Sequence, residues 1–224
     1  MTRAKICGLT TETDLKAAVD AGADAVGIVC DVPVDTPREV TPERAATLVA
    51  AAPPLVTTVL VTMPSGPERA IELVEGIEPD VVQIHGGIRQ GNLAYLGAKI
   101  DADVFLAIDA DDVASARRYD DLADALVVDS ADERGAGGTG ETHDWDRTRV
   151  AVDDLSSPVV LAGGLTPDNV AAAIDAVDPF AVDVSSGIEA EPGRKDHDAV
   201  RAFVEAAQAA GRPGSEHQTV GSRL

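Results

Sequence analysis

Pro158-Val159-Val160-Leu161-Ala162-Gly163-Gly164-Leu165-Thr166-Pro167-Asp168-Asn169 runs from an apolar stretch through two glycines into a helix start. The apolar part predicts a strand over 158–163, and the part that follows predicts a helix over 167–176. Thr166 stands where an N-cap belongs, Pro167 at the first helical position and Asp168 in the first turn. Thr41-Pro42-Glu43 repeats this start signal far upstream. Working outward, further strands are expected at 4–9, 24–30, 55–61, 81–85, 103–109, 125–129 and 181–186. Helices are expected near 11–21, 42–52, 67–76, 89–97, 111–119, 144–154 and 196–210. Runs such as Ala25-Val26-Gly27-Ile28-Val29 lack a two-residue alternation, which suits strands covered on both faces of a parallel sheet. Eight strands, each followed by a helix, predict an α/β protein with a single-domain (β/α)8 TIM barrel over 1–210. A doubly wound open sheet shares the rhythm but usually has fewer strands. Residues 211–224 have no apolar period and read as a flexible C-terminal tail.

The composition narrows the function classes. Hydrophobic residues make up 45% of 224, enough for a core. Acidic side chains outnumber basic ones 39 to 18, for a formal charge of −21. That charge argues against a nucleic-acid partner and against an anionic membrane surface. No run reaches the ~18 apolar residues a spanning helix needs. The N-terminus enters structure without a signal-peptide apolar region, so a cytoplasmic protein is expected. Two cysteines, Cys7 and Cys30, make no disulfide framework. The cations are 14 arginines and only four lysines, Lys5, Lys16, Lys99 and Lys195. So large a net charge repels itself, and molar salt screens it, shortening the Debye length from about 10 Å at 0.1 M to about 3 Å at 1 M. A halophilic setting is expected.

A (β/α)8 barrel builds its site at the C-terminal ends of its strands. The polar residues expected there are Cys7, Gln83, His85, Asp129 and Ser185-Ser186-Gly187. Loops add Arg38, Gly137-Gly138-Thr139-Gly140 and Gly163-Gly164. The Gly163-Gly164 loop runs into a helix N-terminus, where backbone amides favour an anion, and the Ser185-Ser186-Gly187 loop lies on the next strand. Together they predict a phosphate site. A lone Cys is more often a small buried hydrophobe, and a strand-end Asp is more often a loop or cap carboxylate. A thiolate and a protonated carboxyl across one pocket would nevertheless run acid–base chemistry. Arg38 suits bidentate recognition of a carboxylate, or is a solvated surface arginine. His85 is a pocket residue or a satisfied core histidine. No metal-ligand spacing and no dinucleotide or Walker glycine pattern is present.

These pieces in this order resemble the phosphoribosylanthranilate isomerase family. The resemblance is carried by Lys5-Ile6-Cys7-Gly8-Leu9-Thr10, Ala23-Asp24-Ala25-Val26-Gly27, Val82-Gln83-Ile84-His85-Gly86 and Ala125-Leu126-Val127-Val128-Asp129-Ser130. Gly137-Gly138-Thr139-Gly140 with Asp144-Trp145, the segment 161–170, and Ala181-Val182-Asp183-Val184-Ser185-Ser186-Gly187-Ile188-Glu189 complete it. It runs from about Lys5 to Ala209. It implies an isomerase without metal or other cofactor, converting N-(5-phosphoribosyl)anthranilate to 1-(2-carboxyphenylamino)-1-deoxyribulose 5-phosphate in tryptophan biosynthesis. It implies Asp129 as general acid and Cys7 as general base. Arg38, Gln83, His85 and Asp183 would bind substrate, and Gly138, Gly163, Gly164, Ser185, Ser186 and Gly187 the phosphate. The expected partner is a small phosphosugar, with no nucleic acid or membrane, and the chain would act as a monomer or homodimer. The sequence departs from the family pattern at Glu39, Gly87, Leu106 and Gly140-Glu141-Thr142-His143. Alternatives within enzymes are a histidine-pathway aminoaldose isomerase, an indole-3-glycerol phosphate synthase or a pentose-phosphate epimerase. Outside enzymes, the alternative is a phosphate-binding barrel that retains only the anion loops.

Overall fold

The structure is a computed structural model that describes residues 1–130 and 144–210. Eight parallel strands close into a barrel in chain order. They are β1 (Arg3–Ile6), β2 (Ala25–Val29), β3 (Thr57–Thr62), β4 (Val81–Ile84), β5 (Asp103–Asp109), β6 (Ala125–Asp129), β7 (Val159–Leu161) and β8 (Ala181–Val184). Helices α1 (Glu12–Asp20), α2 (Pro42–Ala51), α3 (Pro67–Ile77), α4 (Gln90–Gly97), α5 (Trp145–Val152), α6 (Val170–Val177) and α7 (His197–Ala210) lie between and after them. Each strand expected from the sequence is present, most of them trimmed at one or both ends.

Both faces of the strands are covered, and this hides the alternation in the sequence. Ala4, Ile6, Val26, Ile28, Leu60, Val82, Leu126 and Val182 pack outward in one large core with the helices. The alternate residues face the barrel axis. Cys7, Val59, Val61 and Val81 form one inner cluster, and Ala125, Val127, Val160, Ala162 and Ala181 another, with Phe105 touching both. On β1 and β8 the inner positions include Lys5 and Asp183, which sit opposite each other in register. Leu106 belongs to the outer core. A lysine at this position, as in the family pattern, would therefore start from the helix-facing side of β5. Helix α7 buries Val200, Phe203, Val204 and Ala207, the 3–4 spacing of a single helical face.

Three expectations are corrected. Thr41 does cap α2, its hydroxyl accepting from the Arg44 amide at 3.3 Å, but Thr166 does not open a helix at 167. There the Asn169 side chain accepts from the Thr166 amide at 2.8 Å and donates to the Gly164 carbonyl at 2.9 Å. This side-chain clasp offers the backbone an alternative to helix, so α6 begins only at Val170. After β5 the chain makes a 3-10 stretch over Ala110–Arg118, kinked at Asp112, in place of an α-helix. And β8 stops at Val184, so Ser185 and Ser186 lie beyond the strand. A 3-10 turn, Ser186–Ile188, and a hairpin of β9 (Glu189–Glu191) and β10 (Arg194–Lys195) follow it.

Candidate active site

The strand ends converge on a cavity of about 360 Å³. Every expected site residue among those described lines it: Cys7, Arg38, Gln83, His85, Asp129, Gly163, Gly164, Asp183, Ser185, Ser186 and Gly187. Gly138 lies outside the described residues, as do the rest of 131–143 and the expected tail.

Cys7 follows β1 directly, its amide donating to the Val184 carbonyl at 2.8 Å. The thiol is buried, and room for it comes from Gly27 on β2, where a Cβ would come within 2.7 Å of Sγ. Burial pushes the thiol above its ordinary pKa, while the ammonium groups of Lys5 and Lys195 pull the other way. Lys5 donates to Asp183 Oδ2 at 2.6 Å, and both groups are buried. Burial alone would lower Lys5, but Asp183 and Cys7 beside it carry its pKa above the usual value. Burial raises Asp183, against the pull of Lys5.

Asp129 ends β6, and its Oδ2 lies 3.5 Å from His85 Nε2, with both side chains largely buried. His85 sits one residue past β4, its amide donating to the Thr62 carbonyl at 2.9 Å. Gln83 Oε1, Asp183 Oδ1 and Ser185 Oγ are buried and without a hydrogen-bond partner among the described residues. A buried polar atom left this way costs about 1–3 kcal/mol. All three belong to residues lining one cavity, which suits a ligand rich in hydroxyl groups.

Gly163 and Gly164 both take positive φ, 87° and 62°, so their loop turns tightly at the cavity wall. Gly187 presses against it so closely that a Cβ would run into the Leu165 carbonyl. The β7 and β8 loops thus form one continuous wall. Arg38 comes from the loop after β2 and lies beside the β8 loop, its Cδ and Ser185 Oγ both 2.8 Å from where a Cβ on Gly8 would stand. It donates from Nε and Nη2 to the two carboxylate oxygens of Glu189, each at 2.8 Å.

Residues 4–206 match the family described as N-(5'-phosphoribosyl)anthranilate (PRA) isomerase. The chain belongs to the phosphoribosylanthranilate isomerase family. It is 61% identical over 207 residues to the N-(5'-phosphoribosyl)anthranilate isomerase of the halophilic archaeon Natronomonas pharaonis, covering 92% of this chain and 98% of the relative. The crystal structure of phosphoribosyl anthranilate isomerase from Thermotoga maritima superposes with a TM-score of 0.83 at 36% identity, covering 93% of this chain and all of that one. A further family structure holds reduced 1-(o-carboxyphenylamino)-1-deoxyribulose 5-phosphate. It gives a TM-score of 0.80 at 34% identity over 93% of this chain and 100% of that chain.

Three residues bonded to cavity-lining groups were not singled out from the sequence: Lys5, Glu189 and Lys195. Lys5 carries a usable signal, because a lysine two residues before Cys7 in an apolar strand must share its inward face. Glu189 and Lys195 gave none, since they meet Arg38 and Ser185 only through a hairpin that no local pattern announces. Among the described residues, no group of three or more His, Cys, Asp or Glu side chains could hold a metal ion, and no helix is long and apolar enough to cross a membrane.

Proposed function

We propose that the chain converts N-(5-phosphoribosyl)anthranilate to 1-(2-carboxyphenylamino)-1-deoxyribulose 5-phosphate, the Amadori rearrangement of tryptophan biosynthesis, with Asp129 as acid and Cys7 as base. The observation that carries this reading is the meeting of Cys7 and Asp129 in one cavity with the paired β7 and β8 loops. Asp129 gives its proton to the ribose ring oxygen as the C1–O bond breaks, leaving a Schiff base at C1 and a hydroxyl on the opened chain. His85 beside it is placed to orient the carboxyl. The Cys7 thiolate then takes the C2 proton, and the bonding pair moves into a C1–C2 double bond as the imine nitrogen recovers its lone pair. The enolamine loses its C2 hydroxyl proton and gains one at C1, giving the ketone.

The surroundings supply the rest. Lys5 and Lys195 oppose the rise that burial imposes on Cys7. Gln83 and the unpartnered oxygen of Asp183 are donor and acceptor for sugar hydroxyls. The Gly163-Gly164 and Ser185-Ser186-Gly187 loops take the phosphate through amides and hydroxyls. Arg38 takes the anthranilate carboxylate.

The test is an assay of the purified protein in molar KCl, with phosphoribosylanthranilate generated in situ and its fluorescence followed. Rapid enzyme-dependent loss is expected. Unchanged fluorescence in both dilute and molar salt would exclude this substrate, and the phosphate-binding barrel with only its anion loops would become the better reading.

A further inference from the structure

Only four lysines occur in this acidic chain, and two of them, Lys5 and Lys195, are buried beside the cavity. Lys5 is paired with Asp183. Lys195, on the hairpin beyond β8, donates to the Ser185 carbonyl and to Glu189 Oε1, each at 3.0 Å. Glu189 Oε1 therefore receives Lys195 and Arg38 together, while its Oε2 receives Arg38 alone. Burial pushes this carboxyl upward, yet its two cationic partners hold it below its ordinary value, so it stays charged.

The geometry leaves Arg38 with a defined free edge. Its side edge, Nε and Nη2, is taken by Glu189. Nη1, with the second hydrogen of Nη2, makes no hydrogen bond among the described residues, and Arg38 lines the cavity. A guanidinium held from the side in this way presents its end-on fork to a second carboxylate. The hairpin packs on the loop that carries Arg38, Gly193 lying against the Pro37 carbonyl, and it is tied to the loop after β1 by the Thr10 hydroxyl, which donates to the Gly193 carbonyl at 3.0 Å.

We propose that Glu189 is a positioning residue for substrate recognition, fixing the Arg38 fork toward the substrate's aryl carboxylate and tying it through Lys195 to the β8 phosphate loop. The proposal rests on the isomerase reading above. It assigns Glu189 no contact with substrate. Its effect is preorganisation: the fork is already oriented, so little side-chain freedom is lost when the carboxylate docks.

The test compares two ligands by calorimetry in molar KCl: reduced 1-(o-carboxyphenylamino)-1-deoxyribulose 5-phosphate and its analogue lacking the ring carboxylate. The ratio of their dissociation constants isolates carboxylate recognition from phosphate binding and from general loss of folding. In the native protein the carboxylated ligand binds more tightly, and Arg38→Met removes most of that preference. Glu189→Gln is expected to reduce the preference about tenfold, with Glu189→Asp falling between it and the native protein. In the Arg38→Met background, Glu189→Gln is expected to change the ratio no further. A Glu189→Gln ratio equal to or above the native one would overturn the proposal, because Glu189 would then merely neutralise Arg38. Equal losses in both backgrounds would overturn it as well. Failure of the native protein to bind either ligand would instead remove the isomerase reading, and this proposal with it.

Discussion

At the residue scale, Cys7 presents the sharpest conflict between environment and role. A general base must be deprotonated, yet burial raises this thiol's pKa. Two buried ammonium groups lower the cost of the thiolate without cancelling that rise. The thiolate is consequently the minor form at neutral pH, and its share grows as pH climbs through the raised pKa. The ultraviolet thiolate absorbance that is lost in Cys7→Ala protein is expected to climb from neutral into alkaline conditions. An absorbance already at its plateau at neutral pH would show a Cys7 pKa below its ordinary value, contrary to this environment. Cys7 and Asp129 were legible in the sequence as polar residues at strand ends, whereas the roles proposed for them came only from the family resemblance. For Arg38 the sequence left a carboxylate binder and a solvated surface arginine both open, and it gave no sign of the ion pair with Glu189, which lies 151 residues away.

At the element scale, the wall proposed to take the phosphate is made by two loops rather than by one helix N-terminus. The helix start signal at Thr166-Pro167-Asp168 proved misleading because Asn169 closes the loop on itself before α6 begins. What holds the wall together is the contact of Gly187 with the Leu165 carbonyl. Gly187→Ala must push the β8 loop away from the β7 loop. An amide hydrogen bond to a charged group is worth about 1.5–3 kcal/mol, so the KM for phosphoribosylanthranilate is expected to rise about tenfold or more, with a smaller change in kcat. An unchanged KM, measured in the same fluorescence assay, would show that the phosphate does not bind between these loops. The eight strands were legible because short β-branched runs alternate with Ala-rich amphipathic stretches. The β9–β10 hairpin was not, because its strands are only three and two residues long and carry no periodicity.

At the scale of the whole molecule, a net charge of −21 covers a barrel whose site gathers cations. Lys5, Lys195 and Arg38 all lie at or beside the cavity, Lys5 paired with Asp183 while Lys195 and Arg38 share Glu189. Self-repulsion therefore acts on the exterior, where salt reaches it, and less on the buried pairs, which salt screens weakly. The midpoint of thermal unfolding is expected to rise steadily as KCl is raised from dilute to molar. A midpoint independent of KCl would contradict a surface adapted to high salt. The barrel and its charge were both readable from composition and rhythm. The inner arrangement was not, because apolar residues occupy both faces of most strands and conceal which side chains point to the axis.

The central claim is that one acid and one base act across this cavity, and a comparison of initial rates tests it most directly. Native protein, Cys7→Ala, Asp129→Asn and the double variant are assayed for fluorescence loss in molar KCl, with circular dichroism confirming that each is folded. A positioned proton-transfer group contributes about 10²–10⁴-fold. Each single variant is expected to fall by at least that factor, and the double variant to fall far less than the product of the two. A folded single variant that keeps its rate within about tenfold of native, below that range, would show that the substituted residue is not the acid or base assigned to it.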